Sequence, residues 1–333
     1  MNIKALHKVA KALVADGKGI LAADESTATI KKRFDTIKLV STENARRDYR
    51  QMLFTTPKVN QFISGVILYD ETIRQKGSNG RALVSVLKNA GIIPGIKVDT
   101  GAKPLALHPE ETVTEGLDGL AGRLVDYRKL GAKFAKWRAV YTIGKDMPSR
   151  ACYVANAHAL ARYAALCQEA EIVPIVEPEV LMDGGHDIDT CQQTTEKALH
   201  TVFAALRDQD VALEGILLKP NMVLSGKGAK KQASVDEVAH RTIESFLRHV
   251  PAAVPGIVFL SGGQSDELAT RHLNAMNKLY KNLPWRLSFS YGRALQTAPL
   301  RVWGGKAANV KKGQVAFYTV AKANGAATRG IYR

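Results

Sequence analysis

The 333-residue sequence predicts an α/β fold, a closed (β/α)8 barrel, and three observations carry that reading. Eight short β-type runs recur along the chain, each ending in polar or Gly-rich residues. Every interval between them exceeds the dozen or so residues that a parallel crossover needs. Several intervals carry amphipathic helical patterns with start signals, and alternation of strand and helix predicts a parallel sheet with helices outside. Eight such units favour closure over an open doubly wound sheet.

The runs span residues 19–22, 63–68, 92–98, 133–140, 173–176, 215–218, 257–260 and 287–289. Among the helices, Ser234 with Glu237 forms a capping box ahead of Val235, Val238, Ala239, Thr242 and Phe246 on one face. Ser265, followed by Asp266 and Glu267, reads as an N-cap with first-turn acids before Leu268, Ala269 and Met276. Residues 153–170 and 190–208 are further amphipathic stretches. The N-terminal stretch sets Leu6, Val9, Ala10, Leu13 and Val14 on one face, the pattern of a surface helix packed on the body. It lacks the continuous apolar core of a signal peptide and is not Arg/Ser-rich like a transit peptide. No linker or low-complexity segment interrupts the series, so residues 1–333 read as a single TIM-barrel domain with an N-terminal helix and a short C-terminal tail.

Composition narrows the function classes. With 46% hydrophobic residues the chain can bury a sizeable core, yet no segment approaches the roughly 20 unbroken apolar residues of a membrane span. Cys152, Cys167 and Cys191 make an odd count without Cys-x-x-Cys spacing, which fits a reducing cytoplasm and implies neither a disulfide framework nor a zinc site. Histidines are scattered. The best candidate metal loop, Asp183 to Asp189, departs from the EF-hand pattern and reads as a turn with a helix N-cap, so no metal and no cofactor is expected. The net charge of +16 implies an anionic partner, whether a phosphorylated metabolite, nucleic acid or an acidic filament. Lysines and arginines are spread rather than blocked into a tail, and no RNA-binding aromatic motif or zinc finger accompanies them, so no specific nucleic-acid role is expected.

Catalytic residues of a barrel sit at the C-terminal ends of its strands. Those ends here carry Asp24, Lys97, Lys136 with Arg138, Glu177 with Glu179, Lys219, Ser261, and Ser290 with Arg293. Lys219 follows the buried-type run at 215–218 and precedes Pro220, which points its amine into the barrel mouth. An ordinary lysine, with a pKa of about 10.4, is protonated at neutral pH and is no nucleophile. Desolvation and a neighbouring cation both disfavour the ammonium form, and Lys136 is the expected cation, since Phe134, Lys136 and Arg138 share one strand face. Such an amine can attack a ketone, and the protonated imine makes the adjacent carbon–carbon bond breakable without a metal. Imine formation must expel water, for which Glu177 or Glu179 can supply a proton. Asp24 is a candidate base for a substrate hydroxyl.

Two anion sites are also readable. Ser261-Gly262-Gly263 follows the seventh run and is expected to open a helix, and Ser290-Tyr-Gly292-Arg293 follows the eighth. Lys97 and Arg138, with the hydroxyls of Ser26 and Thr29, form a second group from other strands. Two sites at one mouth suggest a substrate phosphorylated at both ends.

GKGILAADES, GIKVDTG, FAKWRAV, IVPIVEPEV, LEGILLKPNMV, FLSGGQSDE and LSFSYGRALQ resemble, in order and from Gly17 to Gln296, the successive motifs of class I fructose-bisphosphate aldolases. The resemblance implies reversible cleavage of fructose 1,6-bisphosphate into two triose phosphates, in glycolysis and gluconeogenesis. It makes Lys219 the Schiff-base lysine, Lys136 the second active-site lysine, Glu177 the acid/base of imine formation, Glu179 its companion, and Asp24 the residue deprotonating the hydroxyl beside the scissile bond. Ser261, Gly262, Ser290, Gly292 and Arg293 would hold the phosphate of the dihydroxyacetone-phosphate half, and the loop reading adds Gly263. Ser26, Lys97 and Arg138, with Arg33 near the rim, would serve the other half, where the hydroxyl of Thr29 is a further candidate from the residues themselves. A cytoplasmic homotetramer is implied as well.

Some positions depart from the family's animal pattern: Ala28 and Thr29 stand where it has Gly and Ser, and Thr100 where it has Lys. The family's mobile tail ends in a tyrosine that folds over the site, whereas Tyr332 follows a short tail, made flexible by Gly325 and Gly330, and Arg333 comes after it. Rival readings are another Schiff-base barrel enzyme such as transaldolase or deoxyribose-phosphate aldolase, a metal-dependent aldolase, and a non-enzymic binder of acidic polymers. The paired anion sites and the missing His/carboxylate clusters oppose the first two. The acids at 24, 177 and 179 oppose the third, whose binding would also fall steeply with salt.

Overall fold

In a computed structural model describing Met1–Arg333, the chain forms β1 (Gly19–Ala23), β2 (Ile63–Leu68), β3 (Ile93–Lys97), β4 (Gly101–Pro104), β5 (Thr112–Glu115), β6 (Phe134–Tyr141), β7 (Val173–Val180), β8 (Leu217–Leu218), β9 (Gly256–Phe259) and β10 (Arg286–Tyr291). Eight of these close a parallel barrel in the order β1-β10-β9-β8-β7-β6-β3-β2. Every one of the eight predicted runs became a barrel strand. The antiparallel hairpin β4–β5 was not expected; it hangs between β3 and the helix Leu120–Leu130.

Alternation along the strands decides what faces inward. On β6, Phe134 joins the small inner cluster, while Ala135, Trp137, Ala139 and Tyr141 join the larger cluster under the outer helices. On β7, Val173 and Ile175 point inward and Val176 and Val180 outward. The same phase carries Lys136 and Arg138, and Glu177 and Glu179, onto the inner face nearer the C-terminal ends. A barrel interior that is aliphatic at one end therefore becomes charged at the other. Phe134 fills the interior only because its neighbours are glycines. A Cβ on Gly95 would lie 2.3 Å from its ring, and one on Gly65 would lie 3.1 Å away.

The N-terminal helix Ile3–Leu13 is more than a surface helix. Leu6, Ala10 and Leu13 are buried in the inner cluster with Ile20, Phe134 and Val173, so the helix plugs the barrel's N-terminal end. The capping signals behave as expected: Ser234 accepts from the Glu237 amide at 3.2 Å and Ser265 from the Leu268 amide at 3.2 Å. Asp187, in the loop considered for metal, caps Ile188–Asp208 by accepting from the Thr190 amide at 2.8 Å.

The tail expectation is corrected. The last helix, Val310–Ala327, ends beside Gly17, and the residues after it lie along Asp266–Leu279. Arg329 pairs with Asp16 at 3.0 Å, and the Tyr332 amide donates to Asn274 at 2.8 Å. Asp16 and Gly17 precede β1, so this is the end of the barrel opposite the strand C-termini. The tail is pinned because Gly330, at φ +70°, passes so close to Lys278 that a Cβ would meet its backbone nitrogen at 2.7 Å.

Candidate active site

A cavity of about 820 Å³ opens at the C-terminal ends of the strands. It is lined by Asp24, Ser26, Thr29, Arg33, Lys97, Lys136, Arg138, Glu177, Glu179, Lys219, Ser261, Gly262, Ser290, Gly292 and Arg293. Of the residues singled out in the sequence only Gly263 stands outside the lining. A hollow of about 940 Å³ at the opposite end, lined by Lys18, Trp285 and Arg286 among others, contains no strand C-terminus.

Lys219 follows the two-residue strand β8 and is 4% exposed. Its Nζ lies 3.1 Å from Glu177 Oε1, while Lys136 Nζ lies 3.3 Å from the other oxygen of the same carboxylate. Glu177 thus bridges the two lysines. Lys136 also meets Asp24 at 2.8 Å and Asp99 at 3.8 Å. Burial alone would lower the Lys136 ammonium, but Asp24, Glu177 and Asp99 together raise it far above the lysine range. Burial would likewise raise the Asp24 carboxyl, yet Lys136, then Lys219 and Lys97, hold it well below the carboxylate range. Lys136 stands where the second cation beside Lys219 is expected, joined to it through Glu177; three carboxylates surround it, so its charge is matched locally.

The other cations divide sharply. Lys97 donates to the Asp99 carboxylate at 2.6 Å, Arg138 pairs with Glu179, and Arg33 pairs with the buried Glu25. Ser26 caps the helix Thr27–Asp35, accepting from the Thr29 amide at 3.3 Å, and its hydroxyl lies 3.1 Å from that of Thr29. This half of the mouth is internally paired. On the other side Arg293 has no acidic partner, and Ser290 Oγ is buried with no hydrogen bond at all. The Gly262 and Gly263 amides, at φ +58° and +89°, donate to no protein acceptor. An unfilled set of donors here is what an anion would satisfy. The loop at 261–263 does not open a helix as expected: the next helix starts at Asp266, capped by Ser265. The helix opening at the mouth is Arg293–Trp303, with Gly292 at its cap position and no side-chain cap.

Sequence reasoning missed Asp99 and Glu25. Asp99, 7% exposed, sits between Lys97 and Lys136 and accepts from the Gly101 amide at 3.1 Å. Its signal was the period of two: it follows Lys97 by two residues, on the same face. Glu25, 6% exposed, accepts from Gln296 at 2.7 Å behind Asp24. An acid adjoining a mouth residue carries no sequence signal for that.

A charged barrel mouth that buries a lysine amine against a carboxylate, beside a ready anion cradle, belongs to the barrel enzymes that process phosphorylated carbonyl compounds. The family described as "Glycolytic: Fructose-bisphosphate aldolase class-I" matches residues 5–333. This chain belongs to the class I fructose-bisphosphate aldolases. It is 58% identical over 334 residues to a "Probable fructose-bisphosphate aldolase class 1" of Xanthomonas campestris, covering 100% of each chain. It is 55% identical to "Fructose-bisphosphate aldolase 6, cytosolic" of Arabidopsis thaliana, covering 95% of this chain and 88% of that protein. A solved aldolase from Plasmodium falciparum, crystallised with TRAP and a small-molecule inhibitor, superposes with a TM-score of 0.98 at 50% identity, covering 99% and 96% of the chains.

Proposed function

We propose that this chain cleaves fructose 1,6-bisphosphate reversibly to dihydroxyacetone phosphate and glyceraldehyde 3-phosphate, with Lys219 as the covalent centre. The observation that carries the assignment is the Lys219–Glu177–Lys136–Asp24 chain of contacts, each link 3.3 Å or less. Lys219 gives a proton to Glu177 and its amine adds to the substrate ketone. The resulting hydroxyl leaves as water with a proton returned by Glu177. Splitting a six-carbon chain into two trioses breaks the bond beside the hydroxyl-bearing carbon next to the old ketone's neighbour. Asp24, kept ionised, accepts that hydroxyl's proton as the bond opens and the electron pair moves to the iminium. Lys136 holds Asp24 and Glu177 in place throughout. Ser261, Gly262, Gly263, Ser290, Gly292 and Arg293 bind the phosphate of the ketone half. Lys97, Arg138, Arg33, Ser26 and Thr29 surround the other phosphate, with Glu179 fixing Arg138. Residues 1–333 act as one domain, and likeness to cytosolic relatives supports a cytoplasmic homo-oligomer, a tetramer by the family's habit; no helix is long and apolar enough to cross a membrane.

The test is borohydride reduction in the presence of dihydroxyacetone phosphate, followed by peptide mass mapping. The label is expected on Lys219, with loss of activity, and turnover is expected to persist in excess chelator. A label on another lysine would move the covalent centre there.

A further inference from the structure

We propose that Lys227 is an additional substrate-binding residue, a cation at the rim that leaves Asp183 to close over the phosphate of the ketone half. The proposal rests on the phosphate assignment made above for the loop at 261–263 and for Arg293.

Three observations carry it. First, a Cβ on Gly263 would lie 2.9 Å from Lys227 Nζ and 3.3 Å from Arg293 Nη2. The two cations therefore converge on the same face of Gly263, within about 6 Å of each other. They stand beside the unengaged Gly262 and Gly263 amides, and the buried, partnerless Ser290 Oγ lines the same cavity as Arg293. Two cations that close repel unless an anion sits between them, and a phosphate dianion suits the gap. Second, the base of Lys227 is fixed. Its amide donates to the Met182 carbonyl at 2.8 Å, flanked by Gly226 to His186 and Gly228 to Gly184, each 2.8 Å. This clips the loop after β8 to the loop after β7. Gly226 is required there, since a Cβ would meet the Gly184 carbonyl at 2.5 Å. Third, the present partner of Lys227 is easily exchanged. The 2.9 Å pair with Asp183 has side chains 45% and 65% exposed. An exposed pair contributes little, so trading a monoanion in water for a more highly charged phosphate beside Arg293 is favourable.

The experiment is titration of dihydroxyacetone phosphate, and of dihydroxyacetone lacking the phosphate, against the full-length enzyme and its variants. Lys227→Gln is expected to weaken dihydroxyacetone phosphate about tenfold and to raise KM for the bisphosphate similarly, with kcat at saturation nearly unchanged. Binding of unphosphorylated dihydroxyacetone should not change, and Lys227→Arg should restore most of the affinity. Asp183→Asn, which frees the lysine, should tighten the phosphate. Unchanged affinity in Lys227→Gln alongside a weakened Arg293→Ala would overturn the role of Lys227 alone. Unchanged affinity in both would overturn the phosphate assignment beneath it. Weakening in Asp183→Asn would overturn the exchange, because the carboxylate would then position the lysine rather than compete for it.

Discussion

Glu177 touches the amine of Lys219 with one oxygen and faces Lys136 with the other, so a single side chain joins the proposed covalent centre to Lys136 and, through it, to Asp24. Glu177→Gln keeps the shape and cannot donate the proton that expels water. Imine formation should slow about a hundredfold or more while initial binding persists, as rapid-quench trapping can show. A normal rate of imine accumulation would pass the role to Glu179. Asp24 and Lys136 give a second expectation. Asp24 is depressed below its unfolded value of about 3.9. Its contribution to stability is therefore full above about pH 4 and is lost as pH falls through the folded value. Lys136 is raised, so its contribution holds below about pH 10.4 and is lost only as pH climbs through the folded value. Lys136→Met removes the charge and leaves the burial. The Asp24 carboxyl should then rise, shifting the acid limb of the kcat/KM profile to higher pH. The fold should lose about 3–5 kcal/mol at neutral pH in denaturant titration, since buried carboxylates are left unmatched. An acid limb that does not move would mean that Asp24 is not the base.

At the scale of elements, the sequence was most legible where burial imposes a period. The inward set on β6 and β7 follows from alternation alone, and it delivers Lys136, Arg138, Glu177 and Glu179 to the mouth. Capping was readable because Ser234 and Ser265 satisfy amides within their own first turns, a local interaction. The hairpin β4–β5 escaped because its strands are largely exposed or half-exposed, and Lys103, Pro104, Thr112 and Glu115 show no hydrophobic period. The loop after the seventh run misled in a different way: residues 261–263 read as opening a helix, although the Ser265 cap already places its start two residues further on. Gly95 illustrates a long-range constraint that no local pattern reveals, since its partner Phe134 lies on the next barrel strand. Gly95→Ala should overpack the interior and destabilise the barrel by about 1–3 kcal/mol. Combined with Phe134→Leu, the loss should fall short of the sum of the two single changes, a coupling that a double-mutant cycle by chemical denaturation measures. Strict additivity would mean that the strand moves aside without meeting the ring.

The whole molecule separates its two ends. The mouth gathers the acids and cations of the chemistry, while the far end is closed by the N-terminal helix and flanked by the residues after Ala327. This separation was not legible in the sequence, where the short tail before Tyr332 left open whether that residue reaches the mouth. What fixes it instead is tertiary: Arg329 on Asp16, the Tyr332 amide on Asn274, and Gly330 pressed against Lys278. In the docked position Tyr332 packs against the outer core rather than against the cavity that holds Lys219. Proton exchange at the substrate carbon must then be managed by groups already in the mouth. Removing residues 328–333 is expected to leave the rate of deuterium exchange into dihydroxyacetone phosphate equal to that of the full chain, with single-turnover cleavage also unchanged. Thermal stability should fall modestly, because the lost Arg329–Asp16 pair is exposed and worth little, whereas the packing of Tyr332 is real apolar contact. Slower exchange with cleavage intact would show that the tail leaves its dock during turnover and travels to the opposite end of the barrel.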